Sequence, residues 1–102
     1  MLDNHEQLRA DLERCRSGSS LVEVLVHKDD RLSNIILGRV VCASRYGVEL
    51  KLRDGVTVHF DFRGADIRPC HRERPLEQGW KVQSPGGVTL IFFEFPQEQV
   101  AA

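Results

Sequence analysis

The sequence predicts a mainly β fold in a single domain, residues 1–102. An N-terminal helix leads into a small, strongly bent antiparallel β-barrel, and a C-terminal β-hairpin is added to it. Three observations predict this. One apolar stripe at helical spacing precedes Gly18. After Ser20, short β-branched runs alternate apolar and polar residues. Turn-forming Gly, Asp, Ser and Pro break those runs at short intervals. A meander of short bent strands removes its free edges by closing on itself, which favours a barrel. The expected parts are a helix over 3–17, a barrel over 20–70 and a hairpin over 78–96.

The helix has its own signals. Asp3 or Asn4 can cap it, with Glu6 or Gln7 three residues on. Leu8, Leu12 and Cys15 fall at i, i+4 and i+7 and make one narrow apolar stripe. Arg14 and Arg16 sit in the last turn, at the negative end of the helix dipole. Gly18 is the expected stop, as a residue free to take positive φ. So narrow a stripe gives a marginal helix alone, so its expected role is a lid on the sheet.

Strands follow. Leu21–Val26 is β-branched and bounded by Ser-rich and Asp-rich turns, and Asn34–Cys42 is the next run. Gly38 inside it predicts a bend or bulge. Val48, Leu50 and Leu52 alternate with charged residues, as do Val56, Val58, Phe60 and Phe62 with polar ones. Their turn decides the register. A two-residue Asp54-Gly55 loop would oppose Leu52 to Thr57 and mismatch the apolar faces. A three-residue loop, Arg53-Asp54-Gly55, opposes Leu52 to Val56, Leu50 to Val58 and Val48 to Phe60. It requires Gly55 in the left-handed region, as a G1 bulge.

A last hairpin runs from Trp80-Lys81-Val82 through Ser84–Gly87 into Val88–Phe95. Residues 90–93 are apolar on both faces, so both are expected to be covered. The tail after Pro96 reads as frayed.

Composition bounds the function. The chain holds 14 Lys+Arg and 15 Asp+Glu, a formal net charge of -1. No apolar run is long enough for a membrane-spanning helix, and the polar start is not a secretory signal. Three cysteines, Cys15, Cys42 and Cys70, do not make a disulfide framework and read as buried thiols of a reducing, cytoplasmic compartment. A zinc site would need Cys42, His59, Cys70 and His71 to converge, and no metal is expected.

The charge is uneven. Residues 1–19 carry three basic and four acidic side chains, 20–82 eleven and nine, and 83–102 none and two. The middle is therefore mildly basic. Arg63, Arg68, Arg72 and Arg74 lie close together there, opposed only by Asp66 and Glu73 in the same stretch. Such a cluster reads either as a solvated rim or as an anion site.

No catalytic residue is expected. The chain lacks a phosphate loop, a His-x-x-x-His pair and a Ser-centred elbow. Asp29-Asp30 reads as a turn, and Cys70-His71 cannot easily orient as a nucleophile and base.

Two stretches then carry a resemblance. Gly38, Val40, Tyr46, Val48, Leu50 and Leu52 follow one pattern, with one extra residue near Gly47. Phe62-Arg63-Gly64-Ala65-Asp66-Ile67-Arg68 follows a second. Over about residues 4–70 the chain resembles the Sm-like family of Sm, LSm and Hfq proteins. The resemblance implies an N-terminal helix and a bent five-stranded barrel, joined in a ring that binds uridine-rich RNA at its inner rim. Ser44 stands where the family has Asp, Gly47-Val48 where it has the base-binding Asn, and the Lys-His pair of Hfq is absent.

The expectation is a non-enzymatic RNA-binding protein that self-associates into a ring and takes single-stranded RNA as partner. Arg63, Gly64, Arg68 and Tyr46 are its candidate contacts, by stacking, close backbone approach and phosphate pairing. Tyr46 also fits a plain rim position, and His59 an outward strand position. No cofactor, membrane or small-molecule substrate is expected. The alternative is a protein-interaction or accessory module of the same fold without RNA binding, using Trp80, Phe92, Phe93 and Phe95 as its contact surface.

Overall fold

The computed structural model describes residues 3–72 and 77–95. Helix α1 (Asn4–Ser17) precedes seven strands: β1 (Leu21–Lys28), β2 (Arg31–Ser44), β3 (Gly47–Leu52), β4 (Thr57–Asp61), β5 (Asp66–Arg72), β6 (Glu77–Gln83) and β7 (Val88–Phe95). They form one antiparallel sheet in the order β4-β3-β2-β1-β7-β6-β5.

The helix and the mainly β fold are as expected, but the barrel does not close. A five-stranded meander closes by bringing the strand after Arg63-Gly64 beside the first strand. Here β7 occupies that side of β1 along its whole length, from Leu21↔Phe95 to Lys28↔Val88. The strand after Arg63-Gly64, β5, pairs with β6 instead. The C-terminal hairpin is thus inserted into the sheet between β1 and β5. The sheet ends at β4 and β5.

The open sheet still bends over one core. Phe92 of β7 meets Phe60 of β4 edge-on, with ring centres 5.9 Å apart. It meets Phe62, just past β4, in the same geometry at 5.6 Å. Val22, Val24, Val40, Val48, Leu50, Ile67, Val82 and Leu90 fill the space around them. Helix α1 lids this core with the expected stripe, Leu8, Leu12 and Cys15, all buried. Burying each such leucine contributes about 2 kcal/mol. Of the 90–93 run, Leu90 and Phe92 face this core, and Phe93 is covered as well. The ring of Phe93 lies over Gly79, where a Cβ would come within 2.6 Å of it.

Local chemistry sets the ends. The Asp3 carboxylate accepts the Glu6 N–H at 2.9 Å, so Asp3 is the N-cap. At the other end Gly18 keeps φ at -86°, and Ser19 takes the left-handed conformation at 56°. The expected stop was one residue early. The Ser20 N–H donates to Cys15 O and the Ser19 N–H to Arg16 O, the paired bonds of a Schellman ending.

Three turns decide the meander. Asp29 and Asp30 both have positive φ, 50° and 65°, between the paired Lys28 and Arg31. That is a two-residue primed turn, whose twist suits a hairpin. The β3–β4 turn has the predicted three-residue form. Leu50 faces Val58 and Val48 faces Phe60, the Leu52 N–H donates to Val56 O at 2.8 Å, and Gly55 has φ 91°. The strand beyond it is shorter than predicted and ends at Asp61, so Phe62 and Arg63 belong to the turn into β5. The bulge expected at Gly38 sits at Val41 instead, between Val40↔Leu50 and Cys42↔Glu49. Gly38 serves close approach: a Cβ there would lie 3.1 Å from Leu52 and from the Lys51 carbonyl.

Candidate nucleic-acid interface

The β2–β3 hairpin turns through Arg45 and Tyr46, between the paired Ser44 and Gly47. The Ser44 hydroxyl accepts the Tyr46 N–H at 3.1 Å, fixing the turn as a short polar side chain does. The Phe62 N–H donates to Tyr46 O at 2.8 Å. This bond ties the turn to the Phe62-Arg63-Gly64 segment, which is 16 residues on in sequence. The two stretches singled out in the sequence therefore meet.

They enclose a cleft. Ser44, Tyr46, Gly47, His59, Asp61 and Arg63 line about 370 Å³ of open space. Gly47 is what leaves the room. A Cβ there would fall 2.5 Å from the Phe60 carbonyl and 3.1 Å from the His59 ring. Tyr46 is 60% exposed, so its ring is not part of the core. The Arg45 guanidinium sits 5.9 Å from the centre of that ring, in cation–π range.

Arg63 has a partner that a count of the basic cluster missed. Asp61 Oδ1 accepts the Arg63 backbone N–H at 2.9 Å and its Nε–H at 3.1 Å. Asp61 Oδ2 accepts the Nη2–H at 2.9 Å. The Arg63 side-chain bond, followed by its backbone bond, holds the Asp61 carboxyl down at about 2. The same pairing raises the Arg63 pKa. Asp61 grips one edge of the guanidinium plane and leaves its faces to other groups.

The remaining candidates separate. Gly64 has φ 72° and forms the turn next to Arg63. Arg68 points elsewhere: it lies on β5 and pairs with Asp66 at 2.8 Å. Arg72 ends β5, and Arg74 lies outside the described residues. So the cluster of four arginines separates into one cleft arginine and one paired strand arginine, plus two whose side chains are not described. The sequence reading missed His59 and Asp61 as cleft residues. The signal was present in the hairpin register, which opposes His59 to Glu49 and Asp61 to Gly47.

The alternative contact surface is mostly internal. Phe92 and Phe93 are only 2% and 4% exposed. Trp80 is half-buried, and its indole N–H is bound to Asp11 on α1. Trp80, Phe92 and Phe93 line only a small cleft of about 60 Å³ shared with α1, whereas Phe95 lines one of about 870 Å³. The long paired run of β7, with buried residues on both faces, explains why Phe92 and Phe93 lie inside the protein.

Among the described residues, no three metal-ligating side chains gather, and no helix is long and apolar enough to cross a membrane. No protein-family model, curated protein or solved structure matches the chain.

Proposed function

We propose that the chain is a non-enzymatic, Sm-like cytoplasmic protein that binds single-stranded RNA, one base per protomer, in the Tyr46–His59–Arg63 cleft. One observation carries this reading: an exposed tyrosine, an imidazole and a flat guanidinium converge around a cleft of about 370 Å³. Unstacked bases are held between such flat groups, and every base has a face to offer them. Arg63 serves here as a stacking plane rather than a phosphate clamp, because Asp61 already offsets its charge. Ser44 and Asp61 supply acceptors for a base edge. The reading also includes a ring of copies, joined where the unpaired edges β4 and β5 meet. Pro69 and the charged Arg68 on β5 make that edge selective rather than sticky.

The test is fluorescence anisotropy with a labelled oligouridylate. The parent should bind, and Tyr46→Ala should weaken binding roughly tenfold, as for loss of one stacked base. Arg63→Ala should weaken it too. Because the cleft cation is paired, affinity should fall only shallowly with salt. No binding by the parent, or binding by both variants as tight as the parent's, ends the RNA reading. Light scattering should give about five to seven protomers; a monomer removes the ring.

A second reading is a protein-interaction module. Ile35 and Leu37, 54% and 42% exposed, favour it, because large apolar side chains on a sheet face invite a partner.

A further inference from the structure

A second and wider cleft lies away from Tyr46. It measures about 870 Å³ and is lined by Leu21, Leu37, Arg39, Lys51, Leu52, Arg53 and Phe95, with Gly38 among them. The strand ladders explain its make-up. Phe95 opposes Leu21, Leu21 opposes Arg39, and Arg39 opposes Lys51, so one row crosses four strands from apolar to cationic. Leu37 extends the apolar end, two residues from Arg39 on the same face of β2. Arg53 extends the cationic end past Leu52. Among the described residues, no Asp or Glu lines the cleft. Arg39 spends one N–H on Ser19 O at 3.0 Å, and its other donors are left for a ligand.

We infer that this cleft binds a single aliphatic chain ending in a carboxylate, with the chain along Leu21, Leu37 and Phe95 and the head group at Arg39, Lys51 and Arg53. Volume, lining and charge each support this. The volume is that of a small-molecule site, mostly apolar with a few convergent polar groups. Apart from its three cations and Phe95 the lining side chains are aliphatic, and among the described residues none offers an amide or hydroxyl to read a base edge. Among the described residues none of the three cations is in an ion pair, so together they ask for an anion, and a guanidinium takes a carboxylate through two parallel bonds. A concave cleft receives one chain, whereas a bilayer surface calls for a protruding apolar face. The inference is independent of the RNA reading, since the two clefts share no residue.

Calorimetric titration of the full chain with dodecanoate, below its micelle concentration, tests it. Saturable one-to-one binding is expected. Each methylene removed from the ligand should weaken binding about fourfold. The methyl ester should bind at least tenfold more weakly, a comparison that needs no mutation. The double variant Lys51→Glu/Arg53→Glu, on exposed positions, should lose binding while keeping the parent's melting curve and oligouridylate affinity. Absence of dodecanoate binding overturns the inference, and so does equal affinity for acid and ester. Two other results overturn it by naming another occupant. One is binding to anionic phospholipid vesicles without binding of free dodecanoate. The other is dodecanoate binding that emerges only after residues 96–102 are removed.

Discussion

The indole N–H of Trp80 donates to the Asp11 carboxylate at 2.6 Å, across 69 residues of sequence. It joins the lid helix to β6, the first strand of the inserted hairpin. Asp11 is about one turn from Leu8 and from Cys15, so the bond fixes the helix in rotation as well as position. A half-buried hydrogen bond to a charged acceptor contributes about 1.5–3 kcal/mol. Asp11→Ala should therefore lower stability by about 2 kcal/mol in urea unfolding. It should also shift the emission of Trp80, the only tryptophan, to longer wavelength as water reaches the ring. Asp11→Asn, which keeps an acceptor, should fall between the two.

The Asp61–Arg63 clamp predicts an acid titration. The carboxyl of Asp61 is depressed to about 2 from an ordinary 3.8, first by the Arg63 side chain. A depressed folded value means that the contribution to stability is fully present above the unfolded value. It is lost as pH falls from about 4 through about 2. Both groups are exposed, so the effect on global stability is small. The sharp readout is local. The side-chain carbon resonance of Asp61 should titrate with a midpoint near 2 in the parent. In Arg63→Ala it should return toward the ordinary value. An unchanged midpoint in the variant would mean that the clamp does not form in solution.

Two adjacent aspartates in left-handed backbone, Asp29 at 50° and Asp30 at 65°, hold the β1–β2 turn. A Cβ in that region costs roughly 1 kcal/mol, which glycine does not incur. Asp30→Gly should raise stability by about 1 kcal/mol, raising the melting temperature by several degrees. Asp29 is the poorer target, because its N–H donates to Gly87 O and its carboxylate lies beside Gly87.

The thiols should rank by burial. Cys15 is buried under α1, and that burial pushes its pKa up to about 11. Cys70 is raised in the same direction by partial burial, which Lys81 partly offsets. Cys42, expected to be buried, is exposed beside the β2 bulge. Iodoacetamide at pH 8 should label Cys42 first, Cys70 more slowly, and Cys15 only on unfolding, because the thiolate is the nucleophile. Mass spectrometry of a time course reads this order directly. Early labelling of Cys15 would show that the helix lid opens readily.

Much of the local structure was legible in the residues. The Leu8, Leu12 and Cys15 stripe marked the buried helix face, because helical spacing depends on nothing beyond the segment itself. The Leu50↔Val58 register followed from matching apolar faces across a turn that only Gly55 permits. The candidate site was half legible. Tyr46 and Arg63 were visible as chemistry, but the Asp61 clamp and the His59 wall depend on which side chains a hairpin places on one face.

Strand pairing over long distances was not legible. Nothing in Asp66–Arg72 or Val88–Phe95 alone says which of them takes the free side of β1. Both are short β runs, and the choice rests on total burial in competing sheets. Eight paired positions with β7, including Val24↔Phe92 and Val26↔Leu90, prevail over β5, which carries Pro69 and a charged face. Local spacing dictated the helix, the strands and their turns because those depend on neighbours within a few residues. The open sheet, its inserted hairpin and the two clefts were decided by tertiary packing. There the energy of a whole β-ladder outweighs any signal that a single segment carries.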